Sequence, residues 1–298
     1  MTATTTTAPP AAPTGKERAR RLRSERRAAL LRALGEALFG AVVTVLVVLL
    51  GWQLLLAVVD VSSFTAKGPA DVWNFLFVDQ PGADADDTAA AHRAALLPLV
   101  GQTATDAMIG FVAGMAIAVA LALLFTLSKT VEAGVMPFAL FLRSVPLVAI
   151  APAILLITGR GTVTSVAVIG SIVVLFPALA SVLFGLSRAN PDSVDLVHVY
   201  GGSDWAALLK VAVPGALPSI FAAARVSVPG AVTGAMLAEW LSTGKGVGGA
   251  IPRFTSSIQY DELWSAIALI TFGTLIVYNL VQLLENAVLA RMGMTATQ

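Results

Sequence analysis

The chain alternates between long apolar stretches and short polar ones, and the apolar stretches predict membrane-spanning helices. A bilayer core about 30 Å thick needs roughly 20 mostly apolar residues in an α-helix. Stretches of this kind occur at Ala37–Val59, Ala107–Ser128, Val131–Thr158, Thr162–Ser187, Gly215–Thr243 and Leu263–Val288. The expected fold class is therefore an all-α membrane protein with six transmembrane helices.

Three of the predicted spans contain charged residues: the third, the fifth and, near its end at Glu285, the sixth. Arg143 lies within the third span and is followed by Pro146, which predicts a kink or a break because proline removes a backbone hydrogen bond. A charge at membrane depth costs several kcal/mol unless it faces protein or water, so a functional role is the default interpretation. A structural ion pair, for example with Glu132, is an equally weighted alternative for Arg143. Arg225 and Glu239 in the fifth span complete the set of candidate pathway residues with Arg143 and Pro146. They are predicted to face the bundle, where a packing or gating role is favoured over direct solute contact.

Composition agrees with a membrane protein and excludes several kinds of chemistry. The chain is 57% hydrophobic and 12% charged, with a mean hydropathy of +0.82. It has no cysteine, which excludes disulfides and thiolate metal sites, and its two histidines argue against a histidine-built metal centre. The chain also lacks a phosphate-binding loop and a cluster of polar residues suited to hydrolysis. We therefore predict neither enzymatic activity nor a bound cofactor.

The charges are distributed asymmetrically, and their distribution predicts the topology. Eight of the 19 basic residues lie in Lys16–Arg32, whereas acidic residues crowd the segment between the first two spans. Cytoplasmic segments of membrane proteins carry an excess of Lys and Arg. Both termini and the segment between the fourth and fifth spans are therefore expected in the cytoplasm. The basic segment lacks interleaved aromatic residues, so nucleic acid is not an expected partner, whereas lipid headgroups are.

These predictions divide the chain into segments. The first apolar run is too long and too far from the N-terminus for a cleavable signal peptide, so we expect it to remain as a helix. The divisions are an N-terminal disordered and basic arm at 1–36, a first transmembrane helix at 37–59, an external loop at 60–99, a five-helix core at 100–291 and a tail at 292–298. The core includes a cytoplasmic loop at 189–214.

The loop between the fourth and fifth spans carries the most informative motif. An acidic residue is followed by a glycine, an aromatic residue and two prolines; the residues singled out are Asp195, Leu196, Val197, Tyr200, Gly201, Trp205, Pro214 and Pro218. Glycine adopts positive φ without steric cost, so Gly201 is expected to end a short helix. The two prolines are expected to begin the next helix, where a missing amide hydrogen is least harmful.

This pattern resembles the cytoplasmic loop of type I ABC importer permeases. In that family the loop opens with an acidic residue and two alanines, and it forms a short helix that docks into a groove of the ATPase subunit. Asp195 takes the acidic position and is expected near the helix N-terminus, where it would satisfy free amides. Leu196 and Val197 replace the two alanines and would fill the groove differently.

Further blocks resemble the nitrate, sulfonate and taurine branch of these permeases. They are Gly68–Leu76, Gly110–Gly114, Leu142–Leu155 and the segment that runs from Arg225 through the glycines after Lys245. The resemblance implies the type I ABC importer permease fold in a multi-pass protein of the bacterial cell membrane. It also implies a pathway for a small, anionic solute such as a sulfonate or nitrate, with Arg143 as a reasonable contact.

The same resemblance implies the partners. ATP would be bound by a separate cytoplasmic ATPase dimer, a second identical or related permease chain would complete the pathway, and an extracytoplasmic binding protein would deliver the solute. The alternative function is an ATP-independent secondary transporter or channel. Such proteins more often contain an internal repeat, and the sequence has none.

Overall fold

The computed structural model describes residues 35, 39–59, 62–79 and 87–292, apart from the side chain of Leu142. The predicted arm, except for residue 35, and the tail beyond residue 292 lie outside these ranges. Within them the chain is helical, and its helices are α1 (Phe39–Val59), α2 (Pro69–Phe77), α3 (Ala89–Leu127), α4 (Lys129–Ser144), α5 (Leu147–Thr158), α6 (Val163–Ser187), α7 (Pro191–Val199), α8 (Asp204–Thr243), α9 (Gly246–Ser256) and α10 (Tyr260–Met292).

Five helices of the described chain, α1, α3, α6, α8 and α10, are long and apolar enough to cross a membrane. The shorter helices α4 and α5 together occupy the predicted third span. We call the end of the bundle that carries α7 the loop end, and the end that carries α2 and α9 the far end. The six predicted spans thus correspond to five long helices and one interrupted pair.

The predicted third span is not one continuous helix. The chain leaves the helical conformation at Val145, whose ψ is 126°, and a new helix begins after Pro146. A residue that precedes proline is disfavoured in the α conformation because the proline ring crowds it. The break places Arg143 in the last turn of α4, next to the interruption.

The segment predicted as an external loop is largely helical. It contains α2 and the start of α3, which begins at Ala89 behind an N-cap formed by the Thr88 hydroxyl. The sequence prediction began the second span only at Ala107 because Asp106 was taken as a boundary, yet Asp106 lies buried inside α3. Because Asp106 was treated as the end of a polar segment, the sequence prediction omitted about half of α3.

The fifth and sixth spans are also longer than predicted. Helix α8 begins at Asp204 rather than Gly215, and α10 runs from Tyr260 to Met292. Between them, the segment that joins the fifth and sixth spans contains α9. The polar residues at these helix ends continue the helix beyond the apolar segment, which hydropathy alone does not detect.

The core is built where α3, α6 and α8 cross at glycines. A Cβ atom on Gly110 of α3 would lie 2.7 Å from the Cα of Gly170 in α6, and one on Gly234 of α8 would lie 3.0 Å from the same atom. Glycine at these positions lets helix backbones approach closely, as in other membrane helices. Toward the loop end the three helices bury a continuous apolar cluster that includes Phe125, Leu179, Val182, Leu186 and Leu208.

Helix α1 lies at the edge of this bundle. Most of its large apolar side chains are exposed, as expected of a helix that faces lipid. Its described contact with the bundle centres on Trp52, which stacks on Trp264 of α10 with ring centroids 5.6 Å apart.

Candidate functional site

The short helix α7 is built by local capping at the loop end. The Asn190 side chain accepts a hydrogen bond from the Asp192 amide (2.9 Å), and Pro191 occupies the first helical position. Asparagine is a favoured N-cap, and proline at this position loses no helical hydrogen bond. The predicted role of Asp195 near the helix N-terminus is therefore wrong, since Asp195 lies in the second turn and Asn190 performs the capping.

The turn after α7 depends on two glycines. Gly201 has a φ of 79°, and its amide donates to the His198 carbonyl (2.9 Å). The Gly202 amide donates to the Val197 carbonyl (2.8 Å), and a Cβ on Gly202 would collide with the Val197 side chain. Gly201 thus ends the helix with positive φ, which is the geometry that its position in the sequence predicts.

The chain enters α8 directly from this turn. The Ser203 hydroxyl accepts a hydrogen bond from the Ala206 amide and caps α8. His198 of α7 lies 3.1 Å from the Asp204 carboxylate, which links the two helices across the turn. The loop is therefore a compact helix–turn–helix unit, and its second helix continues into a membrane span.

The outer surface of this unit is apolar and exposed. Val199 and Tyr200 are 82% and 83% exposed, and Leu196 and Trp205 are more than half exposed. Asp195 is also exposed, whereas Val197 is partly buried against the turn. No residue of α7 is buried, so the described chain itself does not cover this surface.

The two prolines lie inside α8 and do not begin it, contrary to the prediction. A π-helical segment at Leu208–Ala212 precedes Pro214 and Pro218. Proline lacks an amide hydrogen and crowds the preceding turn, and the wider π turn gives it room without ending the helix. The end of the loop and the fifth span are therefore parts of one continuous helix, α8.

Arg143 and Pro146 line a cavity of about 630 Å³ at the break between α4 and α5. Most of the remaining lining is apolar and comes from α6, where the Phe176 ring lies 5.8 Å from the Arg143 guanidinium. Glu132, the ion-pair partner considered from the sequence, instead pairs with Lys129 (2.8 Å). Within the described ranges Arg143 forms no salt bridge.

Arg225 borders a second cavity of about 390 Å³, which shares Ala180 and Ser181 of α6 with the first. Its guanidinium lies 3.2 Å from the buried Glu285 carboxylate of α10. Arg225 therefore joins α8 to α10, while Arg143 has no such partner.

Glu239 lies apart from both cavities, fully buried at the far end. One of its oxygens accepts hydrogen bonds from the Thr103 hydroxyl (2.9 Å) and the Gly248 amide (2.8 Å). The sequence interpretation placed Glu239 among the pathway candidates and missed Thr103 and Asp106, which pack around it. In the described part of the chain no group of three or more His, Asp or Glu side chains is arranged to hold a metal ion.

Residues 107–293, well over half of the chain, match the family described as binding-protein-dependent transport system inner membrane component. The chain belongs to this family. It is therefore a multi-pass inner membrane protein and a permease component of an ABC transporter. Such components are not catalytic, because a separate subunit hydrolyses ATP, and those of importers work with an ATPase and a substrate-binding partner. Family membership removes the alternative of an ATP-independent transporter.

The chain is similar to several permeases, two of which are named for different substrates. It is 25% identical over 232 residues to a probable ABC transporter permease protein of Haemophilus influenzae, covering 78% of this chain and 89% of that one. It is 26% identical over 181 residues to the formylaminopyrimidine transport permease protein ThiX of Halalkalibacterium halodurans, covering 61% and 72%. It is 26% identical over 183 residues to the putative aliphatic sulfonates transport permease protein SsuC of Bacillus subtilis, covering 61% and 66%. These similarities agree with the family match and do not select the nitrate, sulfonate and taurine branch.

Proposed function

We propose that this chain forms half of the translocation pathway of an ATP-driven importer and that α7 docks onto the ATPase subunit. The observation that carries the proposal is the exposed apolar surface of Leu196, Val199, Tyr200 and Trp205. Large aromatic and aliphatic side chains of this kind dominate the energetics of protein interfaces. The same loop carries the motif that resembles the ATPase-docking loop of type I importers.

The path from α7 into the membrane favours mechanical coupling. Helix α7 is tied to α8 through the Gly201 turn and the contact between His198 and Asp204. Helix α8 then runs without interruption past Arg225. A displacement of α7 by an ATPase would therefore move α8 as a rigid lever and act on the cavities beside α6.

We further propose that the transported solute is small and anionic, of the sulfonate type, and that it passes Arg143. A guanidinium group offers a fork of donors that matches the oxygens of an oxyanion. Arg143 lies in a largely apolar cavity and, within the described residues, no carboxylate neutralises it. The similarity to a permease named for aliphatic sulfonates supports the same solute class.

A second permease chain, identical or related, is proposed to complete the pathway. The two cavities lie side by side along α6, and Arg143, Phe184 and Val226 on this face are exposed. Six spans do not readily enclose a sealed channel, and two copies about a two-fold axis would close this face. The binding protein would then approach the far end, opposite the ATPase, with both termini of the chain on the ATPase side in the cytoplasm.

Substitution of Arg143 tests the pathway proposal. In proteoliposomes that contain the ATPase and the binding protein, Arg143→Ala is expected to lower uptake at least tenfold while ATPase co-purification stays at the wild-type level. Arg143→Lys is the matched control; it keeps the charge but loses the fork, so partial uptake is expected. Wild-type uptake by Arg143→Ala would contradict the role, and loss of the protein from the membrane would assign Arg143 to structure.

A further inference from the structure

Two buried carboxyl groups meet at the far end of the bundle, outside the loop and both cavities. Asp106 of α3 is 5% exposed and Glu239 of α8 is fully buried. Thr103, one turn before Asp106 on α3, donates to Glu239 Oε2 (2.9 Å), so the Glu239 carboxyl group lies against the face of α3 that carries Asp106 and within reach of the Asp106 carboxyl group. Neither forms a salt bridge with any described residue, and Lys245, the basic residue nearest to Glu239 in sequence, is exposed.

The hydrogen bonds around this pair leave one oxygen free on each acid. Asp106 Oδ1 accepts from the Gln102 amide group (3.1 Å). Glu239 Oε2 accepts from the Thr103 hydroxyl and the Gly248 amide. Asp106 Oδ2 and Glu239 Oε1 are buried and have no donor. Because the groups that surround the pair are neutral donors, no neighbouring cation compensates two negative charges.

Two ionised carboxylates in contact within a low-dielectric interior are strongly unfavourable, and such pairs relieve the repulsion by sharing one proton. We propose that Asp106 and Glu239 bind a single proton between Oδ2 and Oε1. One proton supplies the missing donor for both free oxygens and reduces the charge of the pair from two to one. The remaining negative charge is stabilised by the Gly248 amide at the positive N-terminal end of α9.

The protonated pair lies within a set of hydrogen bonds that joins α3, α8 and α9. Thr103 donates to Glu239 and accepts from the Val247 amide (2.9 Å), so α3 and α8 together cap the first turn of α9. Gly246 turns the chain into α9 with a φ of 63°, directly against the Glu239 carboxyl group. Loss of the proton would place a second negative charge in this dry contact and would weaken the attachment of α9.

Infrared spectroscopy of the full-length chain in lipid nanodiscs tests the proposal. A protonated carboxylic acid has a carbonyl stretch distinct from that of a carboxylate. At neutral pH the wild type is expected to have this band, and Asp106→Asn and Glu239→Gln are each expected to lose it. Both substitutions are isosteric and place an amide donor between the two side chains, so each variant should fold. Glu285→Gln is the matched control: Glu285 is buried but paired with Arg225, so its removal should leave the band intact.

The outcomes separate the proposal from its rivals. A band that both variants lose and the control retains supports the shared proton. Absence of the band from the wild type overturns it, including the case in which thermal stability instead depends on added sodium, because a cation would then bridge the acids. A band that persists in either variant also overturns it, because the proton would reside elsewhere. If one variant fails to fold, the other and the wild-type spectrum still decide.

Discussion

At the scale of single residues, Gly201 determines the shape of the loop more directly than any of the bulky side chains around it. Its φ of 79° lies in the left-handed region, and no heavy atom lies within 4 Å of the position of a Cβ. A side chain there would be strained by the backbone conformation and would meet no neighbour in the chain. The cost of a substitution is therefore local to the turn that orients α7.

Gly201→Val is expected to strain this turn by about 1–2 kcal/mol or more, because a β-branched residue is poorly suited to positive φ. The protein should insert normally, since the loop lies outside the apolar spans, but it should retain less ATPase and import less solute. Co-purification of the ATPase measures the effect. Gly201→Asn should be milder because asparagine tolerates this conformation, and Gly215→Ala, at an open helical position, should be neutral. Equal ATPase recovery by all variants, with undiminished uptake, would argue against docking through α7.

The residue scale is also where sequence interpretation succeeds and fails most clearly. The turn at Gly201 and the break at Pro146 follow from backbone stereochemistry, which a single residue type reveals. The partners of Arg225 and Glu239 lie on helices that are distant in sequence, and no local pattern encodes them. Asp106 illustrates the difficulty, because its charge predicts the end of a span although burial beside Glu239 places it within a helix.

At the scale of elements, the bundle depends on how closely α3, α6 and α8 approach one another. Spacing of glycines four residues apart in α3 predicts a close contact, but it does not identify the partner helix. The structure supplies Gly170 of α6 as the common partner of α3 and α8. The prolines of α8 could not be placed from sequence for a related reason, since the π segment that accommodates them has no sequence signal of its own.

Gly170→Ala is expected to destabilise the bundle by about 1–3 kcal/mol, the usual cost of overpacking. The added methyl group would lie 2.7 Å from the Gly110 Cα, and backbone atoms cannot move aside as a flexible side chain can. Gly273→Ala in α10 is the matched control, because its added methyl group meets nothing within 4 Å and alanine favours a helix. Thermal unfolding in detergent compares the two variants, and an equal melting temperature would refute the tight crossing.

At the scale of the whole molecule, hydropathy alone predicts the membrane fold and the five long helices, because the bilayer imposes their length. It does not predict the helices at the far end, since α2 and α9 are too short to register as spans. The loop end and the far end therefore differ in kind. The first exposes an apolar surface on α7, and the second holds α9 by the buried polar contacts of Thr103 and Glu239.

The orientation of these ends in the membrane is the last prediction. The concentration of basic residues near the N-terminus predicts that this terminus, and with it the loop end, faces the cytoplasm. The chain has no cysteine, so Tyr200→Cys at the loop end and Asn74→Cys at the far end each introduce one exposed thiol. A membrane-impermeant maleimide should label position 74 in intact cells and position 200 only in inside-out vesicles, while the parent chain stays unlabelled. Labelling of both positions from outside would show that the two ends face the same side, and the importer topology would have to be abandoned.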